Sequence, residues 1–332
     1  MCTYIRKKCL DGSYLVGRTM EFGPELDSYL IFYPSGSTVK RHINPTKSYR
    51  SKKACIGMAS LNFDCILDGF NEHGLNVATL YFTGNAEYNK LVNEHSYFAY
   101  EFNQLLLSNC SDVDDVKFFL ESNPYINVVN DPENPHDLHW PITDASGKSI
   151  VIEPIGGKLK ITENPIGICT NAPEHHWHLL NLGNYVNIST EGKSEFNFAD
   201  TYITKINGAG SGLRGIPGDW TPASRFVRAA YFTYMMPPAE TAIKGVTDVF
   251  HVLSTADIVK GCMAAKNEDG TEVFRTTQYT SCCDIKNLRY YYHTYENRSL
   301  TYFSLQNLME RYNDVTTFKL QREQKLIEGD RL

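Results

Sequence analysis

Residues 1–20, MCTYIRKKCLDGSYLVGRTM, decide the fold of this chain, because they contain two strand-like segments on either side of an Asp-Gly pair. Asp11-Gly12 is a strong signal for a two-residue hairpin turn. We therefore predict strands at 2–9 and 13–20 that pair with each other. The same stretch places a cysteine directly after the initiator methionine.

The reactivity available to Cys2 depends on the removal of Met1. Aminopeptidases remove an initiator methionine readily when the next residue is small, as cysteine is. The mature chain would then begin with a thiol and a free α-amine, whose ordinary pKa of about 7.7–8.0 suits a base near neutral pH. An N-terminal amine that acts as base for its own side chain is an established way of activating a nucleophile, here the thiol. The alternative is that the cysteine at position 2 has no catalytic role, since any residue can follow an initiator methionine.

Beyond the hairpin, blocks of strands alternate with blocks of helices. This order predicts an α+β fold in which antiparallel sheets carry helices on their outer faces. No composition break, linker or repeat divides the chain, so we expect a single domain over residues 2–332. The predicted strands are 29–34, 63–70, 75–82, several within 138–162, 272–281, 288–295 and 300–305; the predicted helices are 97–107, 112–121, 174–185, 221–236 and 239–253.

Composition excludes several classes of function. The net charge of −6 argues against a nucleic-acid-binding protein, which needs a basic surface. No stretch approaches the roughly 20 apolar residues of a membrane span. Residues 1–9 lack the apolar segment of a signal peptide, so we expect a cytoplasmic protein. The nine cysteines are scattered without a C-x-x-C pair, which predicts neither a disulfide framework nor a metal site. We expect no cofactor.

Three other motifs favour structural interpretations. The G-x-G-x-x-G pattern at 210–215 does not open a helix, since Pro217 follows at once, and it predicts a loop within 207–219 rather than a dinucleotide site. The histidines of His175-His176-Trp177-His178 lack the i, i+4 spacing of helical metal ligands. Cys110 and Cys169 are rival nucleophiles in a papain-like arrangement, but neither has the sequence context for it.

Two arginines occupy positions where a charge is unusual. Arg225 falls in the first turn of the helix that Thr221-Pro222 begins, where the helix dipole disfavours a cation by about 0.3–1 kcal/mol. It is either solvated there or directed at a carboxylate or a reacting centre. Arg18 lies within an apolar strand and must be exposed at an edge or paired. Glu21, three residues on, is a plausible partner.

Taken together, these positions resemble the choloylglycine hydrolase family, which includes conjugated bile salt hydrolases and penicillin V acylases. The resemblance spans nearly the whole chain. Its segments are Met1-Cys2-Thr3, Gly17-Arg18-Thr19-Met20-Glu21-Phe22, Asn71-Glu72-His73-Gly74-Leu75 leading to Leu80-Tyr81-Phe82, Thr170-Asn171-Ala172-Pro173, and Gly218-Asp219-Trp220-Thr221-Pro222-Ala223-Ser224-Arg225-Phe226.

The resemblance implies an N-terminal nucleophile hydrolase with an αββα sandwich, usually a homotetramer, that cleaves a non-peptide amide of a small molecule. Cys2 is then the nucleophile and its amine the acid/base. Arg18 flanks the thiolate and favours its ionised form. The side-chain amide of Asn171 and the backbone N–H of Tyr81 form the oxyanion hole, and Arg225 completes the polar cluster.

Four residues, Glu21, Tyr81, Met20 and Phe22, bear on activity and substrate. The family pattern has an aspartate at position 21, hydrogen-bonded around the nucleophile and its α-amine, so the resemblance makes Glu21 a candidate catalytic residue. Glutamate adds a methylene there, so the resemblance also admits a catalytically weak ligand-binding homologue. Tyr81 and the segment 18–22 look more like penicillin V acylases, which makes a phenoxyacetyl-type or fatty N-acyl amide the preferred substrate and conjugated bile salt the alternative. Met20 and Phe22 are candidates for lining an apolar acyl pocket, although core packing explains them equally well.

Overall fold

Strands dominate the computed structural model, which describes residues 1–61, 63–193, 195–204, 209–266, 270–324, 326 and 328–329. The strands are β1 (Cys2–Lys8), β2 (Tyr14–Phe22), β3 (Tyr29–Tyr33), β4 (Thr38–Lys40), β5 (Ser48–Arg50), β6 (Cys55–Ala59), β7 (Asp68–Asn71), β8 (Asn76–Ala78), β9 (Leu80–Tyr81), β10 (Ser96–Phe98), β11 (Asn127–Val129), β12 (Leu138–Thr143), β13 (Ser149–Ile155), β14 (Lys158–Glu163), β15 (Ile168–Cys169), β16 (Glu195–Phe198), β17 (Thr201–Thr204), β18 (Ala264–Lys266), β19 (Glu272–Phe274), β20 (Thr276–Asp284), β21 (Arg289–Thr294), β22 (Thr301–Ser304) and β23 (Thr316–Lys319). The α-helices are α1 (Phe102–Asn109), α2 (Val113–Ser122), α3 (His175–Asn181), α4 (Pro222–Met235), α5 (Ala242–Ser254) and α6 (Leu305–Arg311).

Two antiparallel sheets form the centre of the fold. The first sheet has the strand order β15-β1-β2-β20-β21-β22. The second has the order β14-β13-β12-β8-β7-β6-β3-β23, with β9 paired to β12. The short pairs β4-β5, β10-β11, β16-β17 and β18-β19 lie outside these sheets.

The N-terminal hairpin forms as predicted. Strands β1 and β2 pair antiparallel from Cys2 opposite Met20 to Lys8 opposite Tyr14. The turn is closed by a hydrogen bond of 2.9 Å from the Cys9 N–H to the Ser13 carbonyl. Gly12 has a φ of 77°, a conformation that glycine adopts at little cost. Because β15 and β20 flank this hairpin, it lies inside the first sheet.

Helices cover the outer face of each sheet. Alternate residues of the hairpin, among them Ile5 and Leu15, share a buried cluster with Phe226 of α4 and Val249 of α5. The approach is so close that a Cβ on Gly17 would lie 2.3 Å from Val249 Cγ1.

The inner faces of the two sheets pack against each other. The Tyr4 hydroxyl of β1 lies 2.8 Å from Thr143 Oγ1 and 3.1 Å from Asn76 Oδ1, both on the second sheet. On the far side of the second sheet, Phe102 of α1 packs edge-on to Trp140 with ring centroids 4.7 Å apart. The layers are therefore α, β, β and α, as expected.

The prediction of helix over 97–107 was wrong at its beginning. Residues 96–98 form β10, which pairs with β11, and α1 begins only at Phe102 after a 3₁₀ turn over Ala99–Glu101. Strand pairing to a distant segment outweighs local helix propensity here. The helix predicted over 239–253 begins at Ala242, whose N–H donates to Asp11 Oδ2 at 2.9 Å. Helix α6 and strand β23 were not predicted.

Two observations concern cross-links and membranes. All nine cysteines, each within the described residues, are free thiols. Over those same residues, no helix is both long enough and apolar enough to cross a bilayer.

Candidate active site

Cys2 lies at the start of β1 with its side chain buried between the two sheets. Because side chains alternate along a strand, Arg18 and Met20 of β2 point to the same face as Cys2. Arg18 Nη2 donates to Cys2 Sγ at 3.1 Å, and Met20 Sδ lies 4.0 Å from the same sulfur. The predicted neighbourhood of Cys2 and Arg18 is therefore present, since the hairpin register brings the two side chains together.

Asp68 holds Arg18 in place from the second sheet. Arg18 Nη1 is 3.1 Å from Asp68 Oδ1, and both side chains are 2 % exposed. The same carboxylate accepts hydrogen bonds from the hydroxyls of Tyr279 at 2.8 Å, Ser281 at 2.7 Å and Tyr290 at 2.8 Å. Each oxygen thus has two donors, and this set of bonds ties the first sheet to the second.

Glu21 is not the partner of Arg18, and that prediction was wrong. The two residues are three positions apart on one strand, so their side chains lie on opposite faces. The Glu21 carboxyl is buried and its Oε1 accepts a weak hydrogen bond from the Thr277 hydroxyl at 3.5 Å. Burial raises the pKa of this carboxyl, and the nearby charges of Arg225 and the N-terminal amine oppose that shift.

Asn171 follows β15 and contacts Cys2 directly. Its Oδ1 accepts hydrogen bonds from the Cys2 N–H at 3.0 Å and from Arg225 Nη2 at 2.6 Å. Its Nδ2 donates to the backbone carbonyl of Tyr81 at 2.7 Å. Since a side-chain amide carries two N–H donors, a second one is available beside the Tyr81 backbone. The structure thus brings together the two residues that were predicted to bind an oxyanion.

Arg225 points into the protein and is 1 % exposed. The Thr221 side chain caps α4, which places Arg225 in its first turn. Its Nη1 donates to the Cys2 carbonyl at 2.5 Å and to Thr3 Oγ1 at 2.8 Å. Of the two alternatives for Arg225, the structure supports a guanidinium directed at the site. Burial lowers its pKa, and the charge of Glu21 opposes that shift.

Met1 extends β1 by one residue and pairs with the Glu21 backbone. The Met1 amine donates to the Glu21 carbonyl at 2.6 Å, and the Glu21 N–H donates to the Met1 carbonyl at 2.9 Å. Burial lowers the pKa of this amine. While Met1 is attached, the nitrogen of Cys2 is an amide and has no basicity. The thiol and a free amine can therefore meet on one residue only after Met1 is removed.

An apolar pocket with a cavity volume of about 40 Å³ lies next to Arg18 and Met20, two side chains that contact the Cys2 sulfur. Both predicted pocket residues, Met20 and Phe22, line it, as do Arg18 and Tyr81. Phe22 stacks on the Tyr81 ring with centroids 5.5 Å apart, and the Tyr81 hydroxyl lies 3.0 Å from His136 Nδ1. Tyr81 thus faces Asn171 with its backbone and the pocket with its ring.

The rival motifs gain no support from the structure. Cys169 Sγ lies 4.0 Å from His139 Nε2, but that nitrogen is engaged with the Thr170 carbonyl at 3.0 Å. Burial raises the pKa values of the Cys110 and Cys169 thiols, which disfavours a thiolate at either position. The glycine pattern at 210–215 contains a 3₁₀ turn, Ser211–Leu213; positions 207 and 208 of the predicted loop lie outside the described residues. No group of three or more His, Cys, Asp or Glu side chains in the described part of the chain is arranged to hold a metal ion.

Sequence reasoning missed Asp68 and the buried His139, and for His178 it predicted only a structural role without its contact to Asn171. Asp68 lies within the predicted strand 63–70, where it is one of two aspartates in an otherwise apolar segment. His139 Nε2 is 3.0 Å from the Thr170 carbonyl, and His178 Nε2 is 2.8 Å from the Asn171 carbonyl. These contacts join residues that are distant in sequence, except for the seven-residue step from Asn171 to His178.

Comparison with known proteins gives a consistent result. The sequence model of the linear amide C–N hydrolases, choloylglycine hydrolase family, matches residues 2–318. A bile salt hydrolase/transferase from Clostridium perfringens is 33% identical over 96% of this chain and 97% of its own. The crystal structure of the C2A variant of the C. perfringens conjugated bile acid hydrolase superposes with a TM-score of 0.88 at 33% identity, covering 99% of this chain and 100% of that one.

A penicillin V acylase from Agrobacterium tumefaciens shares the fold at greater distance. Its TM-score is 0.78 at 20% identity, covering 97% of this chain and 92% of that one. The layered architecture is therefore common to both branches, whereas the sequence is closer to the bile salt branch.

Proposed function

Since the chain belongs to the choloylglycine hydrolase family of linear amide C–N hydrolases, we propose that it hydrolyses conjugated bile salts, with Cys2 as the nucleophile after Met1 is removed. The observation that carries this proposal is the contact set around Cys2. Arg18 reaches its sulfur at 3.1 Å, and Asn171 reaches its nitrogen at 3.0 Å. An apolar pocket is lined by Arg18 and Met20, which both contact that sulfur.

In the proposed mechanism the thiol attacks the amide carbonyl. The Cys2 amine takes the thiol proton, and the carbonyl oxygen becomes an oxyanion that the Asn171 side-chain N–H and the Tyr81 backbone N–H stabilise. The amine then passes the proton to the leaving nitrogen, which departs as glycine or taurine. The acyl thioester that remains is attacked by water, the amine acts again as base, and the free bile acid and thiol are released.

The choice of substrate differs from the one that Tyr81 suggested. The sequence favoured a penicillin V acylase, but the bile salt relative is 33% identical, whereas the penicillin V acylase structure is 20% identical. The pocket is lined mostly by apolar side chains, among them Leu26, Leu67 and Leu138, as the acyl group of either substrate requires. The change of substrate therefore rests on the sequence identities. We therefore adopt the alternative as the proposed substrate.

A parallel assay tests this choice. Glycine and taurine release from conjugated bile salts is measured beside 6-aminopenicillanate release from penicillin V, with acyl-homoserine lactones as a third class and Cys2→Ser as the inactive control. We expect the highest kcat/KM with a conjugated bile salt. A higher value with penicillin V would restore the acylase as the substrate assignment and leave the amide hydrolase mechanism intact.

A second candidate is a ligand-binding homologue with weak catalysis. It is favoured by Glu21, whose Oε2 is buried without a hydrogen-bond partner among the described residues. Wild type and Glu21→Asp distinguish the two candidates. An active enzyme gives measurable wild-type turnover, and shortening the side chain changes kcat by less than about 10²-fold. Wild-type activity near zero that rises sharply in Glu21→Asp would favour the binding protein.

The proposal also includes a homotetrameric assembly and a cytoplasmic location. The tetramer is supported by the family resemblance, and light scattering of the purified protein tests it. The cytoplasm is supported by nine free thiols, which a reducing compartment preserves. Cell fractionation tests this location.

A further inference from the structure

Two buried histidines hold consecutive backbone carbonyls at the site. His178 Nε2 lies 2.8 Å from the Asn171 carbonyl oxygen, and His139 Nε2 lies 3.0 Å from the Thr170 carbonyl oxygen. Each side chain is 1 % exposed. Because a carbonyl oxygen can only accept a hydrogen bond, each imidazole must carry its proton on Nε2.

These bonds matter because Asn171 lies beyond the end of β15. That strand pairs with β1 only through Tyr4 opposite Cys169 and Ile5 opposite Ile168. The backbone of Asn171 is therefore not part of the β1–β15 pairing, and its position depends on other contacts. The His178 bond is one such contact.

The ring of His178 is itself fixed. It stacks on Phe226 of α4 with centroids 4.8 Å apart and an interplanar angle of 17°. Phe226 is the neighbour of Arg225, so the same helix supports both contacts to Asn171. Burial lowers the pKa of His178 to about 4, which keeps the imidazole neutral near pH 7 with a single N–H.

His175 offers a matched control. It lies on α3 three residues from His178, is also 1 % exposed, and burial likewise lowers its pKa to about 4. Neither of its ring nitrogens has a hydrogen-bond partner within the described residues. It contacts Phe226 edge-on at 6.0 Å rather than by stacking.

We propose that His178 is a positioning residue for amide hydrolysis, which acts by holding the Asn171 backbone so that its side-chain amide faces Cys2 and the oxyanion. This inference rests on the proposed function, because it assigns Asn171 a part in the reaction. His178 touches neither the sulfur nor the pocket. Its effect is expected on the transition state rather than on substrate binding.

The test compares His178→Leu, His178→Gln and His175→Leu on the best substrate. We expect His178→Leu to lower kcat by at least about tenfold, while KM changes less than about twofold. The expected loss is smaller than the roughly 10²–10³-fold fall in kcat that follows the removal of an oxyanion donor itself. Glutamine places an N–H near the position of Nε2, so His178→Gln is expected to recover most of kcat. His175→Leu is expected to retain kcat. Equal losses of kcat in both leucine variants, or no recovery with glutamine, would overturn the proposal.

Hydrogen exchange followed by mass spectrometry separates this inference from the proposed function. We expect faster amide exchange in the peptide that covers residues 168–173 of His178→Leu, with no change in His175→Leu. If the wild type hydrolysed no amide, the proposed function would fail, and this comparison would still decide whether His178 holds the segment. Identical exchange in wild type and His178→Leu would refute that role.

Discussion

Replacing Asp68 with alanine tests how strongly the carboxylate that binds Arg18 supports both fold and site. The substitution leaves a guanidinium that is 2 % exposed without its counter-ion. Breaking one side of a buried ion pair costs about 3–5 kcal/mol. Unfolding entropy of about 2.1 cal/mol/K per residue gives about 0.7 kcal/mol/K for 332 residues. The expected fall in Tm is therefore about 4–7 °C, measured by scanning calorimetry.

Ser281→Ala is the matched control, because Ser281 Oγ donates to Asp68 Oδ2 at 2.7 Å and contacts the carboxylate away from Arg18. Losing one hydrogen bond to a charged group costs about 1.5 kcal/mol, or about 2 °C on the same scale. We expect Asp68→Ala to lower kcat as well, since Arg18 loses one of the acceptors that orient it toward Cys2. A Tm within 1 °C of wild type, or full activity in the destabilised variant, would refute this reasoning.

Three further predictions follow from the site and its surroundings. Asn171→Ala is expected to lower kcat by about 10²–10³-fold in a steady-state assay, as the loss of an oxyanion donor does elsewhere; a loss below fivefold would remove Asn171 from the oxyanion hole. Burial lowers the pKa values of His175, His178 and His293 to about 4, so the folded state resists their protonation while the unfolded state accepts it near pH 6.5. The stability that these neutral rings contribute is present above pH 6.5 and is lost as the pH falls toward 4, at about 1.4 kcal/mol per unit of pKa difference. We expect the Tm of the wild type to decline over that pH window and the Tm of His175→Leu to decline less steeply. Equal slopes of Tm against pH for the two proteins would contradict the lowered pKa of His175. Phe22→Ala is expected to raise KM for a bile salt more than it lowers kcat, because Phe22 lines the pocket at a distance from the reacting atoms; an unchanged KM would argue that Phe22 serves packing alone.

The fold was predictable where the signals are local. Asp11-Gly12 determines the N-terminal hairpin, and Thr221-Pro222 determines the start of α4. The register of that hairpin then follows from the turn, and with it the contact between Cys2 and Arg18. The failure over residues 97–107 has a different origin, since β10 exists only because it pairs with β11 across 31 positions of sequence, as Ser96 does with Asn127.

The site was predictable only in part, for a similar reason. Strand alternation alone shows that Glu21 cannot face the same side as Arg18, so that error was avoidable. The true partner, Asp68, lies 50 residues away on the other sheet, and no local pattern indicates which strands of two sheets will face each other. The two histidine contacts near Asn171 likewise depend on how α3 and β12 pack. Sequence therefore predicted which residues gather around Cys2 better than it predicted the residues that hold them in place.

The N-terminal mass of the active protein tests the central claim most directly. The account requires that only chains beginning with Cys2 react, because an amide nitrogen cannot serve as the base. The samples are preparations that differ in the extent of Met1 removal. Intact-mass measurement gives the fraction of chains that lack Met1, and active-site titration gives the fraction of chains that react. We expect activity to rise in proportion to the fraction that lacks Met1. Full activity in protein that retains Met1 would contradict the N-terminal nucleophile mechanism.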